Sequence, residues 1–315
     1  MTPALQEYVQ QCVTLVDAAL DRWLPRPPQC PQPLSDALRY SVFAGGKRLR
    51  PVLTLAAAEA SSDAPDRGVE LALPAACALE MIHTYSLIHD DLPAMDNDTL
   101  RRGRATSHVV YGEAVAILAG DGLVTEAFAL MAREPQGTDP AVVQRKLRAL
   151  ARVATAAGVE GMVGGQVLDL EAQRLTPQLN ASSSVGLDTD RTTALQAMHA
   201  RKTGALIRAA AVSGAIIAGA SPEVEGAIDD YATDVGLAFQ IVDDVLDVAG
   251  GSGSLGKTAG KDEAAGKLTY PSLYGVEGSR RLAVDHIDRA RTRLRDAGLK
   301  GWLDEIAVWV RDRDA

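Results

Sequence analysis

Residues 85–104 read YSLIHDDLPAMDNDTLRRGR. An apolar helical run closes on Asp90 and Asp91, Asp96 and Asp98 follow, and then come the cations Arg101, Arg102 and Arg104. Pro93 is expected to end the helix. The first two aspartates therefore stand at a helix C-terminus, where the peptide dipoles disfavour negative charge. Two explanations compete: a solvated loop, or a metal site that holds an anion. A second stretch, IVDDVLD from Ile241, repeats the pattern. Asp243 and Asp247 are four residues apart and share a helix face, with Gln240 one turn earlier. Both clusters are locally unfavourable, and a bound divalent cation would offset that. Two similar clusters half a chain apart suggest two helices that face each other.

The surrounding sequence is helical throughout. Of 315 residues, 47% are hydrophobic and only 4% aromatic, with Ala, Leu and Val abundant. Helical periodicity is expected over 4–24, after a cap at Ser35, from Pro51, from Pro74 to about His89, and over 112–133, 140–161, 191–220, 222–249 and 279–297, then to the end. No strand-type alternation stands out. The expectation is one large all-α domain over 1–315, a helical bundle around a central cavity, with its motifs between about 35 and 275. Two loops interrupt it, one polar (176–190) and one rich in glycine and lysine (250–271).

Composition narrows the function. A net charge of −9 argues against a nucleic-acid partner. The three cysteines, Cys12, Cys30 and Cys77, have no pairing or metal-ligand spacing, which fits a reducing cytoplasm. The N-terminus lacks the basic and apolar regions of a signal peptide. The apolar run Gly204–Ala220 is short for a membrane span and carries Arg208, so a buried helix is expected and no stable membrane anchoring.

Carboxylates without Cys or His partners suit Mg²⁺, which binds one or two acids, keeps waters and takes phosphate oxygens. Cations for phosphate lie in separate patches: Lys47, Arg48 and Arg50; Arg101, Arg102 and Arg104; Lys202; and Lys257, Lys261 and Lys267. Their alternation with the aspartates implies two anionic sites. His83 lies two turns before Asp90; on spacing alone it is either a satisfied core histidine or a diphosphate donor. It completes a Glu-x-x-His pair, but a di-iron bundle needs a second copy and none occurs. No Walker A run, dinucleotide fingerprint or nucleophile elbow is present.

These stretches, with FAGGKRLRP (43–51), GEAVAILAGDGL (112–123), GMVGGQVLDL (161–170), HARKTGALIRAA (199–210), GLAFQIVDDVLDV (236–248) and LGKTAGKDEAAGKLTYPSL (255–273), resemble the polyprenyl diphosphate synthases, and among them bacterial short-chain farnesyl diphosphate synthases. The resemblance implies the isoprenoid synthase fold, a homodimer, and a metal set of Asp90, Asp91, Asp96, Asp243, Asp244 and Asp247 for about three Mg²⁺, with Mn²⁺ as substitute. It places Arg101, Lys202, Lys257 and Lys267 on the allylic diphosphate, and Lys47, Arg50, His83 and Arg102 on isopentenyl diphosphate. Lys202, Thr203 and Gln240 would act at the reacting carbons. Tyr85 and Ser86 would set chain length, with Tyr85 the floor of a C15 pocket. The implied reaction joins isopentenyl diphosphate to dimethylallyl and geranyl diphosphates. A C20 synthase is the alternative, ahead of a terpene cyclase or a non-catalytic subunit. Asp98 is given no role.

Overall fold

The structure is a computed structural model that describes residues 1–179, 188–249 and 268–313. Its helices are α1 (Pro3–Trp23), α2 (Gln32–Val42), α3 (Leu49–Ala60), α4 (Pro65–Asp90), α5 (Ser107–Tyr111), α6 (Glu113–Arg133), α7 (Pro140–Ala157), α8 (Met162–Leu179), α9 (Asp188–His199), α10 (Ala205–Ala218), α11 (Pro222–Ala249), α12 (Tyr270–Asp296) and α13 (Leu303–Arg311). A π-helical turn, Ala200–Gly204, joins α9 to α10. The all-α expectation holds.

At the centre, α10 packs against α3, α4, α7 and α11. From Leu206 to Ile217 nearly every α10 side chain is buried, so the most apolar run of the sequence is a core helix. The outer helices α1, α2, α6 and α13 close the sides. Among the described residues two helices, α4 and α6, are long and apolar enough to cross a membrane by length and composition; α4 is mostly buried within the fold, whereas α6 leaves Ile117 and Leu118 exposed. The three cysteines are free and buried.

Several boundaries differ from the sequence expectations. Ser35 does not cap α2, which begins at Gln32; its buried hydroxyl donates to the Pro25 carbonyl at 3.0 Å instead. Pro33 in the first turn needs no N–H partner, so the helix starts earlier. For the same reason Pro51 lies within the first turn of α3, behind an N-cap at Arg48. Pro74 sits inside α4, which starts at Pro65. The flanking residues Leu71–Ile82 are all buried, and their packing outweighs the one hydrogen bond that proline removes. Helix α12 starts at Tyr270 rather than 279, behind a capping box of Thr269 and Ser272, and turns at Gly275.

One small sheet was not anticipated. Leu100–Arg101 pairs antiparallel with Arg104–Ala105. The loop between them is Arg102–Gly103, both with positive φ (53° and 73°), as a two-residue hairpin turn requires. The Tyr40 hydroxyl donates to Ala105 O at 2.7 Å, and the Arg104 guanidinium stacks on the Tyr40 ring, which ties the hairpin to α2.

Candidate active site

The first acid cluster is shaped by the end of α4. The helix stops at Asp90, and the chain turns back on itself: Asp96 N–H donates to Asp90 O at 2.9 Å, Asn97 N–H to Leu92 O at 3.1 Å and Asp98 N–H to Asp91 O at 3.2 Å. The LPAM spacer thereby returns Asp96 to Asp90. Asp91 is buried, and Arg101 grips it with Nε 2.9 Å from both carboxylate oxygens and Nη2 2.6 Å from Oδ1. Asp98, left without a role by the sequence, is 7% exposed and adds its charge to Asp91 and Asp90 around Arg101. Burial pulls the Arg101 pKa down, and these acids outweigh it. Asp98 also presents its carbonyl to the Thr106 hydroxyl at 2.8 Å, so it anchors the hairpin that carries Arg101.

Asp90 is in a different position. Its carboxylate makes no hydrogen bond or ion pair among the described residues. Burial pushes its pKa up to about 6; Asp96 and Asp91 push the same way, against Lys202 and Arg101. A half-buried carboxylate raised chiefly by burial, with two acids beside it, gains from a nearby cation. The oxygen donors fit Mg²⁺. Among the described residues no three acid, His or Cys side chains converge on one point.

The second cluster lies on α11, which α10 separates from the middle of α4 by packing on both. Thr203 Oγ1 donates to Gln240 Oε1 at 2.9 Å, Gln240 Nε2 donates to Asp244 Oδ1 at 2.9 Å, and Tyr270 N–H donates to Asp244 Oδ2 at 3.0 Å. The π turn and α11 are thus wired together, and Asp244 is fixed in orientation. Asp243 faces Arg313, Lys47 and Arg50. Asp247 follows one turn later on the same helix.

Near both clusters lies a group of cations: Arg50, Arg101 and Arg102 act on His83, and Lys47 and Arg50 act on Asp243. The GGKRLR stretch divides its charges. Arg48, at φ 48°, turns inward: Nη1 lies 2.7 Å from Glu80 Oε1, Nη2 donates to Val42 O at 2.7 Å, and Nε to Asp17 at 3.1 Å. It belongs to the scaffold. Arg50 points to the site, 9% exposed, with a buried Nε that has no hydrogen-bond partner among the described residues. Burial lowers its pKa to about 10, with Arg102 adding to the effect. His83 is held well below its ordinary pKa by burial and by Arg50, Arg102, Arg101 and Arg48. It is neutral, and surrounded by guanidinium charge. The Arg102 guanidinium donates to Gly45 O and lies where a Cβ on Gly46 would stand. That close approach explains the second glycine of the motif, whose φ is 130°.

Lys202 Nζ lies 2.5 Å from Asp169 Oδ2. Sequence reasoning assigned nothing to Asp169, although the glycines before it carried the signal. Gly165 lets α8 rest on the π turn: a Cβ there would stand 2.6 Å from Lys202 Cα. The π turn itself was also missed within an expected helix over 191–220; such turns concentrate at functional positions. Tyr85 packs edge-to-face on His89, ring centroids 5.6 Å apart, and Ser86 Oγ donates to His83 O at 2.8 Å. Lys257 and Lys267, with residues 180–187 and 250–267, lie outside the described residues; the described ends of the two expected loops differ from the expectation, since α8 runs to Leu179, α9 starts at Asp188 and α12 at Tyr270.

The fold is an all-α bundle that carries two acid clusters and a group of guanidinium cations beside them. Residues 31–297 match the polyprenyl synthetase family, and the chain belongs to it. It is a prenyltransferase. It is 42% identical over 312 residues to a farnesyl diphosphate synthase of Geobacillus stearothermophilus, covering 99% of this chain and 98% of that one. It is 43% identical over 290 residues to a geranylgeranyl diphosphate synthase of Cyanophora paradoxa, covering 92% and 90%. A solved structure of an FPP/GFPP synthase from Zymomonas mobilis superposes with a TM-score of 0.79 at 34% identity, over 99% of both chains.

Proposed function

We propose that this chain joins isopentenyl diphosphate to dimethylallyl and then geranyl diphosphate, and that its main product is farnesyl diphosphate. The observation that carries the reading is Arg50: a buried guanidinium with an unpartnered Nε among the described residues, beside His83 and Arg102. A diphosphate supplies the missing acceptors. Lys47, Arg50, His83 and Arg102 hold isopentenyl diphosphate, with His83 donating an N–H as a neutral ring.

Arg101 and Lys202 hold the allylic diphosphate, together with Lys257 and Lys267. Asp90, Asp91, Asp96, Asp243, Asp244 and Asp247 would bind about three Mg²⁺, for which Mn²⁺ substitutes; the metal supplies Lewis-acid charge to the leaving diphosphate. The allylic C–O bond breaks, and its electron pair leaves on oxygen. Arg101 and Lys202 meet that charge from fixed positions, which costs no reorganisation. The isopentenyl double bond then forms the new C–C bond, and the proton lost from the adjacent carbon passes to the released diphosphate. Thr203 and Gln240 turn oxygen lone pairs towards the carbocation. The apolar helices keep water from quenching it. Tyr85, the residue before Ser86, which lies one turn below Asp90, stops the growing chain.

A homodimer is part of this reading. The exposed apolar side chains Val109, Val110, Ile117 and Leu118 on α5 and α6 support a second copy of the chain as the occupant of that face. Calorimetry with isopentenyl diphosphate and a non-ionising thiolo analogue of geranyl diphosphate tests the two-site arrangement. Arg50→Ala should remove the first binding event and leave the second. Loss of both together, or of neither, contradicts the assignment.

A further inference from the structure

Beyond α13 the chain carries a residue that no sequence motif includes. Arg313 reaches back onto α11, where three contacts hold it. Its Nη2 donates to Asp243 Oδ1 at 2.5 Å and to the Phe239 carbonyl at 2.7 Å. Its guanidinium carbon lies 3.7 Å from the centroid of the Phe239 ring. The side chain is 6% exposed, whereas that of Asp243 is 46% exposed. Phe239 and Asp243 are four residues apart on one helix, so ring and carboxylate form a single seat for the guanidinium.

This contact meets an acid that the proposed function assigns to the metal. A guanidinium keeps its charge at any working pH, so it cannot release Asp243 by losing a proton. It can only be displaced by another cation. The carboxylate is open enough to solvent for that exchange, and the stacking face on Phe239 does not depend on it.

We propose that Arg313 is a built-in counter-cation for Asp243, which occupies the carboxylate until a divalent metal takes it over. The pair keeps the second acid cluster ordered and its charge balanced between turnovers. It also sets a threshold, because metal must compete with a tethered guanidinium. The inference rests on Asp243 as a metal ligand.

The test is a titration of Mn²⁺ into the full chain, with free Mn²⁺ read by electron paramagnetic resonance and folding checked by thermal melts. Arg313→Gln should bind Mn²⁺ about fivefold more tightly than wild type, the scale of one partly solvated ion pair removed. Arg313→Lys, which keeps the charge but loses the planar stack, should fall between them. Affinity in Arg313→Gln equal to or weaker than wild type overturns the proposal. Asp243→Asn should abolish one class of Mn²⁺ site. If it leaves binding unchanged, the metal role of Asp243 fails instead. A result in which Asp243→Asn loses Mn²⁺ and Arg313→Gln matches wild type rejects the counter-cation alone.

Discussion

Lys202 and Asp169 form an ion pair of 2.5 Å between the π turn and α8, and the acid is 7% exposed. An acid this buried orients the ammonium more than it screens it. Asp169→Asn should therefore leave the fold intact and lower kcat by roughly 10- to 100-fold, the scale of a catalytic group misplaced by about 1 Å. The KM for isopentenyl diphosphate should hardly change, because the proposed function puts Lys202 on the other substrate. Steady-state kinetics with each substrate varied in turn checks this. An unchanged kcat would remove Asp169 from the account.

Gly46 makes the complementary prediction. A Cβ at this position overlaps the Arg102 guanidinium, on a backbone with φ 130°. Gly46→Ala should raise the KM for isopentenyl diphosphate about tenfold, equivalent to about 1.4 kcal/mol. The allylic KM should stay near wild type. An equal rise in both would place Arg102 elsewhere.

Asp90 gives a stability prediction that depends on pH. Its folded pKa of about 6 lies above its ordinary value of 3.8. Below the lower value the carboxyl is protonated in folded and unfolded chains alike. Between the two values only the folded chain keeps the proton, so stability falls as pH rises through that window. Above it the charged carboxylate destabilises in full. In EDTA, Asp90→Asn should stabilise the protein at pH 7.5 by about 1–2 kcal/mol, with solvent screening allowed for, and by nothing near pH 3.5. Denaturant melts at both pH values measure it. A variant less stable than wild type at pH 7.5 would contradict the charge crowding at this site.

Tyr85 tests the chain-length reading. Tyr85→Ala should shift the main product beyond C15, and chromatographic sizing of the alcohols after phosphatase treatment reads it. An unchanged C15 product would show that another residue forms the floor.

Much of this was legible in the sequence because charge in an apolar helix is conspicuous. Asp90, Asp91, Asp243 and Asp247 stood out through their cost at helix ends, Asp96 only through the family resemblance, and the helical fold through its periodicity. What stayed hidden depends on direction rather than composition. Arg48 and Arg50 are identical in type and two residues apart, yet one turns to Glu80 and the other to the site. Only the left-handed backbone at Arg48 separates them, and no pattern in the sequence marks it. Asp169 and Arg313 were missed because their partners, Lys202 and Asp243, are 33 and 70 residues away. The hairpin at Arg102–Gly103 is too short to show an alternation. Proline misled at Ser35, Pro51 and Pro74, since it marks a first turn as readily as a first residue and can sit within a well-buried helix.

The proposed function requires the two acid clusters and the cations around Arg50 to join an allylic and a homoallylic diphosphate. Incubation of the purified protein with Mg²⁺, labelled isopentenyl diphosphate and either dimethylallyl or geranyl diphosphate measures it most directly. The account predicts Mg²⁺-dependent label in farnesyl diphosphate from both primers, abolished by EDTA. No elongation from either primer, with Mg²⁺ present, would contradict it.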